Sequence, residues 1–239
     1  MTKLENELKN LYDGFFLNMR IEPTSGKVAD SNMRFTGYPY VGHNYSKAPI
    51  KLLFVSLDVG ADECGDSDTF HSFKDRQDIF PEGQLDFKPH IAGIYATTLF
   101  IMKNEMGWTR AWEALWSQRD THKNAKAIRM SYDFLPKDLM SYIAYDNRFH
   151  FVTINRDRRT GGKDRHYLNA TIEGQLLLDE IEILSPDIIV FQGKEGLWNC
   201  HIEELRKTHR VVVAYHPSCY QYHADKLQYI VESIAPQLL

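Results

Sequence analysis

Four short runs of β-branched and aromatic residues constrain this chain most. They are Ile50–Leu57 (IKLLFVSL), Phe149–Ile154 (FHFVTI), Asp187–Phe191 (DIIVF) and Arg210–Tyr215 (RVVVAY). Each has the length of a strand, and three are almost continuously apolar, as parallel strands covered on both faces should be. Between them lie segments with helical spacing. His90–Lys103 follows Pro89, and Leu168–Leu184 carries Leu168, Ile172, Leu176 and Leu184 until Pro186 stops it. Lys194–Lys207 follows Gly193, and Ala224–Ile234 lies near the end. Strands alternating with helices imply βαβ units. The fold class expected is therefore α/β, a three-layer α/β/α sandwich around a central four-stranded parallel sheet.

A length of 239 residues fits one domain over 1–239, with 1–47 as a helical and loop extension. Residues 105–148 break the alternation and read as a helical insertion. They hold Trp108, Trp112 and Trp116 at i, i+4, i+8, a helix-packing stripe, and a second helix-like run near Leu135–Tyr145. The three cysteines, Cys64, Cys200 and Cys219, are scattered and form no Cys-x-x-Cys pair, so no metal site and no cofactor are expected. Free thiols, no signal peptide and no apolar run of about 20 residues predict a cytoplasmic protein with no membrane partner and no obligate protein partner. A net charge of −4 carries no global basic signal, so a nucleic-acid partner needs a local patch.

In a parallel sheet a ligand binds beyond the carboxyl ends of the strands. The four runs end in Leu57-Asp58-Val59-Gly60, Ile154-Asn155-Arg156, Gln192-Gly193 and His216-Pro217-Ser218. An acid, an amide and an imidazole are thus expected at one edge, each from a different strand.

The order strand–Asp, strand–Asn, strand–His-Pro-Ser resembles the uracil-DNA glycosylase superfamily over roughly residues 48 to 235. The first motif of that family, Gly-x-Asp-Pro-Tyr or Gly-x-Asn-Pro-Gly, corresponds here to Ser56-Leu57-Asp58-Val59-Gly60, with Ser56 and Val59 departing from it. The last motif is His216-Pro217-Ser218-Cys219-Tyr220, and Pro89-His90-Ile91-Ala92-Gly93-Ile94-Tyr95 looks like the helix start that follows the first motif in some members.

The resemblance implies a DNA glycosylase that hydrolyses the N-glycosidic bond of a flipped pyrimidine. Asp58 would stabilise the sugar cation and orient water, and His216 would hydrogen-bond the departing base. Asn155 would read the base edge, with Phe70, Phe73 or Phe80 as a stacking ring. Ser218 would hold a phosphate, and Tyr220 stands where the family places a wedge. Arg156, Arg158, Arg159, Lys163 and Arg165 form a basic stretch directly after Asn155, suited to DNA phosphates. Gly60 occupies the place of the tyrosine that excludes C5 substituents from a uracil pocket. The expected target is therefore a bulky or C5-modified pyrimidine, such as hydroxymethylated or glucosylated cytosine in phage DNA, in a defence role. An ordinary uracil or mismatch repair glycosylase and a catalytically inactive DNA-binding protein on the same fold are the alternatives.

Overall fold

The computed structural model describes residues 2–35, 37–58, 72–77, 89–119, 135–153, 170–193 and 199–238. The chain is α/β. Strands β1 to β7 span Met33–Phe35, Tyr40–Val41, Leu52–Asp58, Ile143–Phe149, Phe151–Thr153, Ile188–Gln192 and Arg210–Ala214. Five form a mostly parallel sheet in the order β2-β4-β3-β6-β7, and β1 pairs with β5 in a separate two-stranded antiparallel sheet.

Three of the expected strands recur as β3, β6 and β7. The second does not. Phe151–Thr153 pairs with Met33–Phe35, and the sheet member is instead Ile143–Phe149. The helix-like run at Leu135–Tyr145 is likewise corrected: it holds one 3-10 turn, Leu139–Tyr142, and then becomes β4. The sheet has five strands rather than four because Tyr40–Val41 adds a short edge. Every residue of β4 is buried although its centre reads Asp146-Asn147-Arg148. A wholly buried strand is normally apolar, so this one hides behind its own polar residues.

The chain divides into two compact units. The first comprises Met1–Tyr40, Ser56–Ile79 and Tyr145–Ser185. Its core is Tyr12, Phe16, Ile21, Val28, Met33, Phe35, Phe151 and Leu176. The N-terminal segment, expected as an extension, thus supplies most of that core. Its helix, Lys3–Met19, starts with a capping box. Thr2 Oγ1 accepts from Glu5 N at 3.2 Å, and Glu5 Oε2 accepts from Thr2 N at 2.6 Å. Arg20 ends it in the left-handed region, φ 54°. Phe35 meets the rings of Phe16, Tyr12 and Phe151 edge-on at 5.0, 5.5 and 5.6 Å.

The second unit comprises Val41–Val55, Phe80–Ala144 and Pro186–Leu239. Its helix Pro89–Met102 is apolar on every side and buried continuously from Ile91 to Leu99. The tryptophan stripe packs as expected: Trp112 lies 5.1 Å from the ring of Phe100 and 5.6 Å from Trp116. Strands β6 and β7 run parallel, Ile188 opposite Arg210 through Gln192 opposite Ala214. β7 alternates in burial because it is an edge strand. After helix Lys226–Tyr229 the chain widens into a π-turn, Ile230–Ile234, and then resumes as Ala235–Leu238. The N–H of Ala235 reaches back to Ile230 O, the five-residue step of such a turn. Beyond the turn, Gln237 doubles back on β7. Its Oε1 accepts from Val213 N and its Nε2 donates to Val213 O, both at 2.9 Å.

Candidate functional site

The chain leaves β7 at Ala214 and turns at once. Tyr215 is half exposed, His216 is partly buried and Pro217 is buried. Cys219 N donates to His216 O at 2.9 Å, which closes the turn, and Tyr222 N donates to Cys219 O at 3.0 Å, which starts the 3-10 turn Tyr220–Tyr222. Proline suits the second position because its φ is already set and the turn needs no N–H from it.

The turn is seated from two sides. A Cβ on Gly93 would lie 2.3 Å from Pro217 Cβ, so the proline ring rests where only a glycine leaves room. From the other side Lys226, fully buried, donates from Nζ to Pro217 O at 2.5 Å and to Tyr222 O at 2.8 Å. Burial pushes the Lys226 ammonium down to about 8.

These neighbours decide the state of His216. Ser218 N donates to its Nδ1 at 3.2 Å. An Nδ1 that accepts carries no proton, so the neutral ring carries its proton on Nε2. Burial lowers the His216 pKa, and the Lys226 charge lowers it further. The result is a neutral imidazole that offers an N–H donor at neutral pH. The ring of His90 lies 6.1 Å away, tilted by 32°. Two residues beyond Ser218, Tyr220 is 101% exposed. Its ring takes no part in the protein's own core.

Of the residues singled out in the sequence, the structure brings His216, Ser218 and Tyr220 onto this one turn. Asp58 is the last residue of β3, and its side chain lies outside the described residues. Gly60, Phe70, Phe80, Asn155, Arg156, Arg158, Arg159, Lys163 and Arg165 also lie outside the described residues. Phe73 lies in the helix Phe73–Gln77 and meets the ring of Tyr38 edge-on at 5.5 Å, as a packing residue does.

A second polar cluster lies in the first unit, where the sequence reading placed no site. His150 Nε2 lies 3.2 Å from Asp146 Oδ1 and 3.7 Å from Glu180 Oε1, and Tyr12 donates its hydroxyl proton to Glu180 Oε1. All four side chains are at most 1% exposed. Burial and the Asp146 charge push Glu180 well above the usual carboxylate range. Asp146 feels the same burial, but His150 and a hydrogen bond with Glu180 outweigh it and hold Asp146 low. Two signals were present in the sequence. Asp146 and His150 share parity along extended chain, and Glu173 and Glu180 sit seven apart at core phase in an apolar helix. Among the described residues, Asp146, His150 and Glu180 form the group of donors able to hold a metal ion.

No helix among the described residues is long and apolar enough to cross a membrane. Comparison of the chain with protein-family models and with curated proteins yields no match.

Proposed function

We propose that this protein hydrolyses the N-glycosidic bond of a flipped pyrimidine in DNA and leaves an abasic site, on a uracil-DNA glycosylase-like three-layer sandwich. The observation that carries the reading is the state of His216. A departing pyrimidine gathers negative charge on its O2. A neutral imidazole that presents Nε2–H stabilises that charge without having to lose a proton it needs. The hydrogen bond from Ser218 N fixes this tautomer, and burial beside Lys226 keeps the ring neutral.

The other roles follow from the sequence. Asp58 stabilises the cation that develops on the sugar and orients the attacking water. Asn155 reads the base edge, and Phe70 or Phe80 stacks on it. Tyr220, fully exposed, fills the gap left in the duplex, and the Ser218 hydroxyl holds a phosphate. Arg156, Arg158, Arg159, Lys163 and Arg165 neutralise the backbone. Gly60 leaves the C5 side of the base open, so the preferred targets are bulky or C5-modified pyrimidines, including hydroxymethylated and glucosylated cytosine, and the role is defence against DNA that carries them.

A product assay tests this. Oligonucleotides containing uracil, a thymine mismatch, hydroxymethylcytosine or glucosylated hydroxymethylcytosine are incubated with the protein and treated with alkali to cut abasic sites. Strand cuts at the modified cytosines, lost in Asp58→Asn, are the expected result. Cuts confined to uracil would leave a repair glycosylase and remove the open-pocket reading. Retention of DNA with no abasic product on any substrate would leave a binding protein.

A further inference from the structure

We infer that the first unit holds a structural metal site: one divalent transition cation of the Zn²⁺ or Mn²⁺ class, bound by Asp146, His150 and Glu180 with the Tyr12 oxygen beside them.

The donor set comes first. One imidazole nitrogen with carboxylate and phenol oxygens is a borderline-to-hard set, suited to such cations and unsuited to soft ones. Zinc bonds nitrogen and carboxylate oxygen at about 2.0–2.2 Å, so two donors on a tetrahedral ion stand about 3.3–3.5 Å apart. His150 Nε2 lies 3.2 Å from Asp146 Oδ1 and 3.7 Å from Glu180 Oε1, on either side of that spacing. The three donor atoms all fall within 4.8 Å of one another.

A second observation is independent of that spacing. Asp146 Oδ2 and Glu180 Oε2 are buried and have no hydrogen-bond partner among the described residues. An acceptor left unmade in the interior costs about 1–3 kcal/mol, and more when it is charged. Two such oxygens on adjacent carboxylates mark a place built for positive charge. A cation bound to both carboxylates supplies that charge.

The surroundings hold the donors in place. His150 N donates to Glu173 Oε2 at 2.8 Å, and the His150 ring stacks on Phe35, centroids 5.9 Å apart with 5° between the planes. With every donor at most 1% exposed, the site has no open face for a substrate. A closed site of this kind is structural rather than catalytic. It joins β4, the helix Ala170–Leu184 and the helix Lys3–Met19, three elements far apart in sequence.

The inference does not depend on the proposed glycosylase activity, and its test reads no activity. The full chain is purified without an affinity metal, and its metal content is measured by elemental analysis. It is then stripped with dipicolinate and titrated with Zn²⁺, Mn²⁺ or Co²⁺ while Tm is followed. Expected are about one metal per chain before stripping, and a Tm rise of about 5–10 °C when one of these ions reaches about a hundred times its Kd. Glu180→Gln and Asp146→Asn, nearly isosteric, should abolish that rise. If those variants do not fold, Co²⁺ added to the stripped wild-type chain should give the strong visible d–d bands of a four-coordinate ion. A metal-free protein whose Tm ignores all three ions would overturn the inference. So would a Tm rise that persists in both variants, or Co²⁺ bound without those bands.

Discussion

Two histidines in this protein meet opposite fates. His216 is only partly buried, its Nδ1 is tied down by a neighbouring amide, and its remaining nitrogen carries a proton to give. His150 is 1% exposed and lies between two carboxylates. In one place burial strips charge from an imidazole that stays partly exposed. In the other, burial is complete and two carboxyl groups flank the ring. The difference teaches that partial burial beside a cation leaves a ring that the proposed reaction can use, whereas complete burial between carboxyls leaves one that meets only the protein.

The comparison can be broken at its strongest point first. His150→Ala should destabilise the protein by about 3–5 kcal/mol, because it leaves two buried carboxyls without their partner. Urea unfolding reads this, and a loss under about 1 kcal/mol would mean that the buried cluster is not holding the first unit together. His216→Ala and Asp58→Asn should do the reverse. Each is expected to slow base release about a hundredfold or more, with Tm nearly unchanged. The pH dependence sharpens this. In the proposed reaction the neutral His216 ring is the active form, and burial places its pKa below the ordinary 6.5. The rate at subsaturating substrate should be level near pH 7 and fall as pH drops below about 6.5, through the depressed pKa. A rate that rises toward acid pH would assign the imidazolium instead.

Smaller effects probe the seating of the turn. Gly93→Ala drives a methyl into Pro217 and should cost about 1–3 kcal/mol while slowing the reaction, since the turn must shift to make room. Equal activity with unchanged stability would show that the proline is not seated there. Tyr220→Ala should leave stability within about 0.5 kcal/mol, as expected for a fully exposed side chain. Its activity should fall on duplex DNA and remain on single strands, where no gap needs filling. An equal loss on both substrates would make Tyr220 a base contact rather than a wedge.

Much of the fold was legible because three strands carry their pattern openly: Leu52–Asp58, Ile188–Gln192 and Arg210–Ala214 are apolar runs with turn residues after them. β4 was not legible. Tyr145, Asp146, Asn147 and Arg148 deny it any hydrophobic period, and Asp146 is buried against Glu180, a partner distant in sequence that local reading does not supply. The apolar run Phe149–Ile154 drew attention in its place, although its β-propensity is spent on a two-stranded pairing with Met33–Phe35. At the His-Pro-Ser turn, sequence named the residues, but the Gly93 notch and the Lys226 prop were invisible, because neither residue type announces a contact across more than a hundred positions or beneath a loop.

The side-chain amide of Gln237 has a consequence for life in a crowded solution. β7 is an outer strand, and an outer strand offers unpaired amides and carbonyls to any passing chain. By occupying both main-chain groups of Val213, Gln237 acts as a one-residue counterfeit strand. It closes the middle of that margin to the stacking of one molecule on the next.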